Sequence, residues 1–501
     1  MFGLSTADAS AAAGYYGIEP ADVQYSMIIF YAAVAGFYAL ERRFFVFAAT
    51  REYFLISNII QIITAYICYH TNNLYVLFLF RFIQGMANCM STSICITLIF
   101  SNLRGERARE IGYSVFYGLL LCITPLSTII TAPIIDAFDF NALYKFIIYA
   151  YLPGCILLLI IMNNVRLNRK MPLYQLDWYS FFVYSLLLCL LGYILAYGQQ
   201  YYWFEDVRIL RSTIAVVLLL GLHLIRQVHV RRPYLNPAVF KHRNFNVGVF
   251  MIFILYIVRG ALGMTSIYFA AVLGLDPKHI GSLMTANIAG VIVGALVSSR
   301  LVIMKRPVRL VLIYGFFLLL IFHVWMWFLF TTQADSCTFI IPLLTQGMGV
   351  GMLMTPIIIF MISSVPEQLG SSAAATGVFF RFSGFCSSIA LINYFQLKHK
   401  ADHVNRFQEQ LSGLNGLVTE RLNLYSKTLS AKGILPDRAS GIAKGLLSKT
   451  IDNQAQLRTM MDYYLVISIV LAVVLLMIAL FPYLNRTKIN LRSKQPAPAS
   501  Y

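Results

Sequence analysis

Three arginines, Arg81, Arg259 and Arg381, lie inside long apolar runs of this chain. A guanidinium at the centre of a membrane helix costs about 2.5 to 3.5 kcal/mol on insertion scales, so each must face a cavity, water or a polar partner. Arg81 is followed at i+3, i+7 and i+14 by Gln84, Asn88 and Cys95, spacings that return to one side of an α-helix. That stripe is expected to line a cavity; the alternative is that Arg81 ties neighbouring helices through backbone carbonyls. Arg259 is too deep in its run to reach water easily, Arg381 is nearer an end where it can snorkel, and Gln346 repeats Gln84 in the second half. Guanidinium and amide groups around one cavity favour an anionic or neutral amphipathic molecule over a cation. Asp8 is the one well-placed embedded carboxylate and hence the candidate proton carrier, since Asp136, Asp177 and Asp462 stand at run ends.

The elements that must position these groups are membrane-spanning helices. Hydrophobic residues make up 59% of the 501, charged residues 12%, and the mean hydropathy is +0.71, values that a dispersed soluble chain does not reach. A hydrocarbon core about 30 Å thick needs roughly 20 apolar residues in a helix. Thirteen runs meet that requirement: Gln24 to Leu40, Phe54 to His70, Asn73 to Phe100, Ile111 to Ile135, Tyr144 to Met162, Trp178 to Tyr197, Ile209 to His229, Asn246 to Val272, Ile280 to Leu301, Arg309 to Phe330, Cys337 to Ile362, Thr376 to Phe395, and Met461 to Leu484. Lys and Arg concentrate in alternate connections, leaving only Lys145, Arg208, Arg211 and Lys278 in the short connections of the other side. The basic side is therefore cytoplasmic, as is the C-terminus, and the net charge of +18 reports orientation against anionic lipid rather than a nucleic-acid partner. Seven of the eight cysteines fall inside apolar runs and form no CxxC pair, so neither a disulfide nor a metal site is expected, and no cofactor. No basic stretch precedes an apolar one at the N-terminus, as a cleavable signal would require. Gly441 to Thr450 lacks the Gly-Lys step of a phosphate loop and follows no strand, and no HExxH, GxSxG or intramembrane His and Asp cluster points to an enzyme.

The chain repeats itself. Gln84-Gly85-Met86 returns as Gln346-Gly347-Met348, and Gly17-Ile18-Glu19-Pro20 returns as Gly274-Leu275-Asp276-Pro277, at nearly equal offsets, as expected of a transporter built from two related halves. Each half then holds six spans, with two extra ones, Trp178 to Tyr197 and Ile209 to His229, between them. The expected organisation is an N-terminal six-helix bundle (1–163), the extra spans with their linkers (164–245), a C-terminal bundle (246–484) and a cytoplasmic tail (485–501). The twin of the run 246–272 would start about ten residues before Met1, so the first helix is expected to be truncated. The fold class is an all-α polytopic bundle of six, two and six spans. Gly290, Gly294 and Ser298, and the cluster Gly347, Gly349, Gly351 with Pro356, are sites of close helix approach or of hinging. The external segment 397–460 alternates polar and apolar residues at helical spacing (Phe407, Leu411, Leu414, Leu417), with a break at Gly433 to Pro436.

Arg81-Phe82-Ile83-Gln84-Gly85 before a basic loop, within this six-two-six order, resembles the major facilitator superfamily, and within it the fourteen-span drug:proton antiporters, a multidrug exporter family. Further resemblances are Leu176-Asp177-Trp178, Tyr197-Gly198-Gln199 with Trp203-Phe204, Arg232-Pro233 with Phe240 and Arg243-Asn244-Phe245, and Arg381 with Gly384. The family's glycine-rich antiporter stretch is reduced to Gly118 and Thr124-Pro125, and its first loop signature to Leu40-Glu41-Arg42-Arg43. The resemblance implies ion-gradient-driven efflux of a small molecule from the inner membrane, and a periplasmic adaptor and outer-membrane channel as partners docking on 397–460. The rival expectations are an importer of a nutrient or siderophore on the same scaffold and a non-transporting membrane sensor.

Overall fold

The computed structural model describes residues 9–103, 108–162, 176–230, 233–304, 306–411 and 415–480. Asp8, Arg232, Leu414 and the tail 485–501 lie outside them. Among the described residues thirteen helices are long and apolar enough to cross a membrane, and the architecture is all-α. The helices are α1 (Ala9–Tyr16), α2 (Pro20–Phe47), α3 (Thr50–His70), α4 (Leu74–Asn102), α5 (Ala108–Ala137), α6 (Ala142–Ile161), α7 (Trp178–Tyr197) and α8 (Val207–His229). They continue as α9 (Arg243–Arg259), α10 (Ala261–Ala271), α11 (Pro277–Ile303), α12 (Val308–Leu329), α13 (Ile340–Ser363), α14 (Gly370–Asn393), α15 (Lys400–Glu409), α16 (Gly416–Ala431) and α17 (Pro436–Leu480).

Local chemistry sets the helix starts. Asn73 caps α4 by accepting the amides of Tyr75 and Val76, and Asp177 caps α7 by accepting the amide and hydroxyl of Ser180. Asp177 also pairs with Arg226 of α8 at 2.8 Å, so the Leu176-Asp177-Trp178 motif joins the two extra spans. Burial acts to raise the Asp177 pKa, but the hydrogen bonds from Ser180 and Arg226 outweigh it and hold the carboxyl below its ordinary range. The repeated turns are alike in backbone: Gly17 and Gly274 adopt φ of 63° and 64°, and each is followed by an extended acidic residue and a proline opening the next helix. Such a φ is open to glycine without steric cost.

Equivalent helices also meet in equivalent ways. A Cβ at Gly85 of α4 would strike the Phe30 carbonyl of α2, and one at Gly347 of α13 would strike the Asn287 carbonyl of α11; Phe30 and Asn287 are related by the same 257-residue offset as the two turns. Between α11 and α13 the approach is reciprocal, with Gly290 and Gly294 against the Leu344 and Met348 carbonyls, and Gly347 and Gly351 against those of Asn287 and Val291. Backbones this close have no room for side chains, which is how small residues pack membrane helices. Across the two sets of helices, α5 runs along α11 and α14 packs on α2, while α7 fills the seam beside α2 and α14. There Gly192 admits Ile28, next to Phe382. Most of α6 and α8 faces outward, with residues such as Ile160, Ile161, Leu218 and Val228 exposed for lipid to cover.

Three elements differ from the sequence expectation. The run 246–272 is two helices, α9 and α10, broken at Gly260, whose amide bonds back to Ile257 in a tight 3₁₀-like turn. The second helix runs to Phe47 rather than stopping at Leu40, because Glu41 is buried inside it. The last span does not begin at Met461: α17 is one helix of 45 residues, about 68 Å long at 1.5 Å per residue, over twice the hydrocarbon thickness. Likewise α14 passes through a π-helical turn, Tyr394–His399, into α15 without a loop. The segment 397–460 is thus mainly helical extension of the last two spans, with α16 laid against α17. Its expected break is present at Gly433 (φ 84°), whereas Leu417 is exposed rather than packed.

Candidate functional site

Where α2, α5, α9 and α14 converge, two guanidiniums stand among four tyrosines. Arg381 of α14 lies 5.7 Å from the ring centre of Tyr117 of α5 and interacts with it electrostatically. Tyr256, Tyr31 and Tyr38 also interact with Arg381. Arg259, at i+3 from Tyr256 on α9, lies 5.9 Å from that ring and donates from Nη2 to the Leu121 carbonyl of α5 at 3.1 Å. Tyr31 of α2 interacts with Tyr256 and packs edge-on against Phe382 of α14 at 5.7 Å. Tyr117 and Tyr256 are buried, and both arginines are half-buried.

The charge balance of this cluster is its informative feature. Among the described residues no carboxylate pairs with Arg259 or Arg381. Ring faces and a backbone carbonyl offset part of the desolvation of a guanidinium, but not its full charge, and a buried cation without an anion is a costly arrangement. Phenol hydroxyls and guanidinium forks are donors suited to a carboxylate, sulfonate or phosphate, and four aromatic rings accommodate an apolar body.

The remaining sequence candidates lie elsewhere. Arg81 is buried and donates from Nη2 to the Tyr144 hydroxyl of α6 at 3.1 Å and from Nη1 to Gln84 at 3.4 Å. Gln84 in turn reaches Cys68 Sγ of α3 at 3.7 Å, and Tyr16 of α1 bonds the Cys68 carbonyl. This second polar cluster ties α1, α3, α4 and α6 together near the end of the bundle that carries Asn73. Asn88 is half-buried on α4, and Cys95, expected on the same stripe, is exposed. Gln346 accepts from Asn287 Nδ2 at 2.5 Å, which also donates to the Leu343 carbonyl, so it links α11 to α13. The structure thus brings Arg259 and Arg381 together, Arg81 and Gln84 together, and Gln346 with neither pair.

Several functional candidates were not visible as such in the sequence. Tyr31, Tyr38, Tyr117 and Tyr256 are four of 31 tyrosines, and only the i+3 spacing of Tyr256 to Arg259 could have drawn notice. Glu41, taken for part of a loop signature, is a buried carboxylate accepting from Tyr53 (2.9 Å) and Ser93 (2.6 Å). Tyr38 interacts electrostatically with both Glu41 and Arg381. His323 is fully buried in α12 against Tyr464; a histidine inside an apolar run was its signal.

A bundle of long apolar helices with glycine-packed equivalent pairs and a polar cluster at the meeting of both sets is the build of a membrane transporter. The chain belongs to the Major Facilitator Superfamily, whose family model matches residues 2–389. It is similar to the colistin resistance protein EmrB of Acinetobacter baumannii, 22% identical over 433 residues, covering 85% of this chain and 82% of that one. The multidrug export protein EmrB of Haemophilus influenzae is 21% identical over 374 residues, 72% of this chain and 70% of its own. Among solved structures, the crystal structure of a POT family transporter in complex with 5-aminolevulinic acid superposes with a TM-score of 0.61 at 12% identity, over 97% of this chain and 93% of that one; this likeness concerns the fold.

Proposed function

We propose that this transporter is a secondary active exporter of multidrug type, moving small amphipathic compounds, anionic or neutral, by alternating access of two bundles (1–163 and 246–484) joined through 164–245. The observation that carries the reading is the pair of guanidiniums Arg259 and Arg381, which have no carboxylate partner among the described residues and are ringed by tyrosines from α2, α5 and α9. The names of the relatives, multidrug export and colistin resistance proteins, support export. The basic connections support a C-terminus in the cytoplasm, and the likeness to multidrug export proteins supports the inner membrane as the location. The helical extension 397–460 then projects outward, where a periplasmic adaptor leading to an outer-membrane channel would find it. Coupling to protons is assigned to Glu41, held between Tyr53 and Ser93, alongside Asp8.

Proteoliposomes of known protein orientation test this. Uptake of an organic anion dye is expected to run from the basic face to the opposite one, to be driven by a proton gradient, to collapse with a protonophore, and to lose its gradient dependence in Glu41→Gln. Flux that ignores imposed proton and sodium gradients would remove the secondary active reading, and net accumulation toward the basic face would replace export by import.

A further inference from the structure

Phe395, His399, His403 and Phe407 follow one another at intervals of four residues where α14 leaves the bundle and becomes α15, and their rings form a column. Successive centroids are 5.0, 5.0 and 6.4 Å apart, with interplanar angles of 15°, 15° and 26°. An interval of four overshoots an α-helical turn of 3.6. The wider π-helical turn Tyr394–His399 absorbs that excess between Phe395 and His399, and π turns of this kind are frequent at functional sites. Both imidazoles aim Nε2 at one atom: Oδ2 of Asp462 on α17, 2.8 Å from His403 and 3.6 Å from His399. The three donor atoms lie within 4.8 Å of one another, and all three residues are half-buried.

We propose that His399, His403 and Asp462 form a binding site for a divalent d-block cation, Zn²⁺ in the first place. A tetrahedral zinc with nitrogen and oxygen ligands at about 2.0 to 2.2 Å spaces its donors roughly 3.3 Å apart. The two distances to Oδ2 bracket that spacing, so the side chains reach it by small rotations. Two imidazoles with one carboxylate suit zinc, copper or nickel, and are a poor set for magnesium or calcium, which take oxygen. The fourth position is left to water or to a donor from a partner. The neighbouring links are of the same kind in outcome: Lys400 pairs with Asp452 at 2.8 Å and Gln456 donates to Gln396 at 3.2 Å. The metal thus completes a ladder bolting the extension of α14 to that of α17 above the membrane, and metal occupancy sets how rigidly the segment 397–460 stands.

The test uses the full chain, purified in detergent without a polyhistidine tag, stripped with chelator and titrated with Zn²⁺ against a chromophoric competitor. Co²⁺ serves as the spectroscopic probe. One equivalent of Zn²⁺ is expected, with a tetrahedral Co²⁺ spectrum. Binding should be lost in His403→Ala and His399→Ala and regained in His403→Cys, where a thiolate replaces the imidazole and adds a sulfur charge-transfer band. Gel filtration of each variant separates loss of the site from loss of the fold. No retained equivalent in the parent chain, or equal retention by the His399→Ala/His403→Ala/Asp462→Asn variant, overturns the proposal. A Co²⁺ spectrum unchanged by His403→Cys does so as well.

Discussion

Arg381→Gln separates a substrate-binding guanidinium from a structural one, because the two roles predict different things about charge. An anion seated against this group sits about 4 Å from it, where the attraction is about 4 kcal/mol at the effective dielectric of a protein-enclosed pair and about 1 kcal/mol in open water. Both settings bear on the proposed site, since Tyr117 and Tyr256 are buried while the two arginines are half-buried. At 1.4 kcal/mol per factor of ten, the substitution should lower handling of an anionic substrate between about 5-fold and about 1000-fold relative to a neutral compound of the same shape. The glutamine keeps polar contact with the tyrosines, which limits collapse of the cluster.

The assay is a ratio measured in one preparation: initial rates in proteoliposomes for an organic anion and for its neutral ester or amide, parent against variant. Differences in folding, insertion and reconstitution scale both rates equally and cancel. Arg381→Lys retains the charge but loses the planar fork, so it should restore most of the anion preference without all of the rate. If the anion and its neutral counterpart fall by the same factor in Arg381→Gln, the guanidinium holds the bundle together and the charge argument is refuted.

Two further outcomes follow from the packing and capping. Gly347→Ala places a methyl group against the Asn287 carbonyl and should cost about 1 to 3 kcal/mol as overpacking between helices that cannot separate locally; it should be seen as a lower unfolding temperature in detergent, with Gly221→Ala, which meets nothing within 4 Å, as the control that loses no stability. The Asp177 carboxyl titrates below its ordinary range, so its contribution to stability is complete above the unfolded-state pKa and is lost as pH falls through the lower folded value; thermal unfolding followed from neutral to acid pH should show a steeper loss in the parent than in Asp177→Asn, and parallel curves would refute the link.

How much of this was legible depends on what each signal encodes. Hydropathy registers length and apolarity, and it found all thirteen spans because a bilayer demands both. It is blind to a break such as Gly260, since glycine is ordinary in membrane helices and only the 3₁₀-like turn of the backbone separates α9 from α10. It also cut α17 at Met461, because helical structure continues into water where apolarity does not. Periodicity put Arg81, Gln84, Asn88 and Cys95 on one face, but a face does not specify which neighbour covers it; Tyr144 of α6 does so for Arg81, while Cys95 is exposed. The arginines of the central cluster stood out because each is expensive in hydrocarbon. Their tyrosine partners did not, since a tyrosine in an apolar run incurs little cost and appears equally in packing roles. Glu41 was hidden by Arg42 and Arg43, which made the end of α2 look like a loop.

On the proposed reading, the position of Arg259 connects substrate binding to movement of the bundle. It is the last residue of α9, beside the break at Gly260, and its guanidinium holds the Leu121 carbonyl of α5, a helix of the other set. A ligand shifts a conformational equilibrium only by its differential affinity for the two states. The bond from the guanidinium to the Leu121 carbonyl and a bond from it to an anion both involve a charged group, but the anion adds a full Coulomb attraction of about 1 to 4 kcal/mol at about 4 Å. On the proposed reading, an anion therefore outcompetes the Leu121 carbonyl for Arg259 by roughly 1 kcal/mol or more. That exchange removes a tie across the two sets of helices at the point where the α9–α10 helical ladder is already interrupted. The same guanidinium that recognises the substrate then lowers the work of separating α5 from α9, and does so only when the substrate is bound.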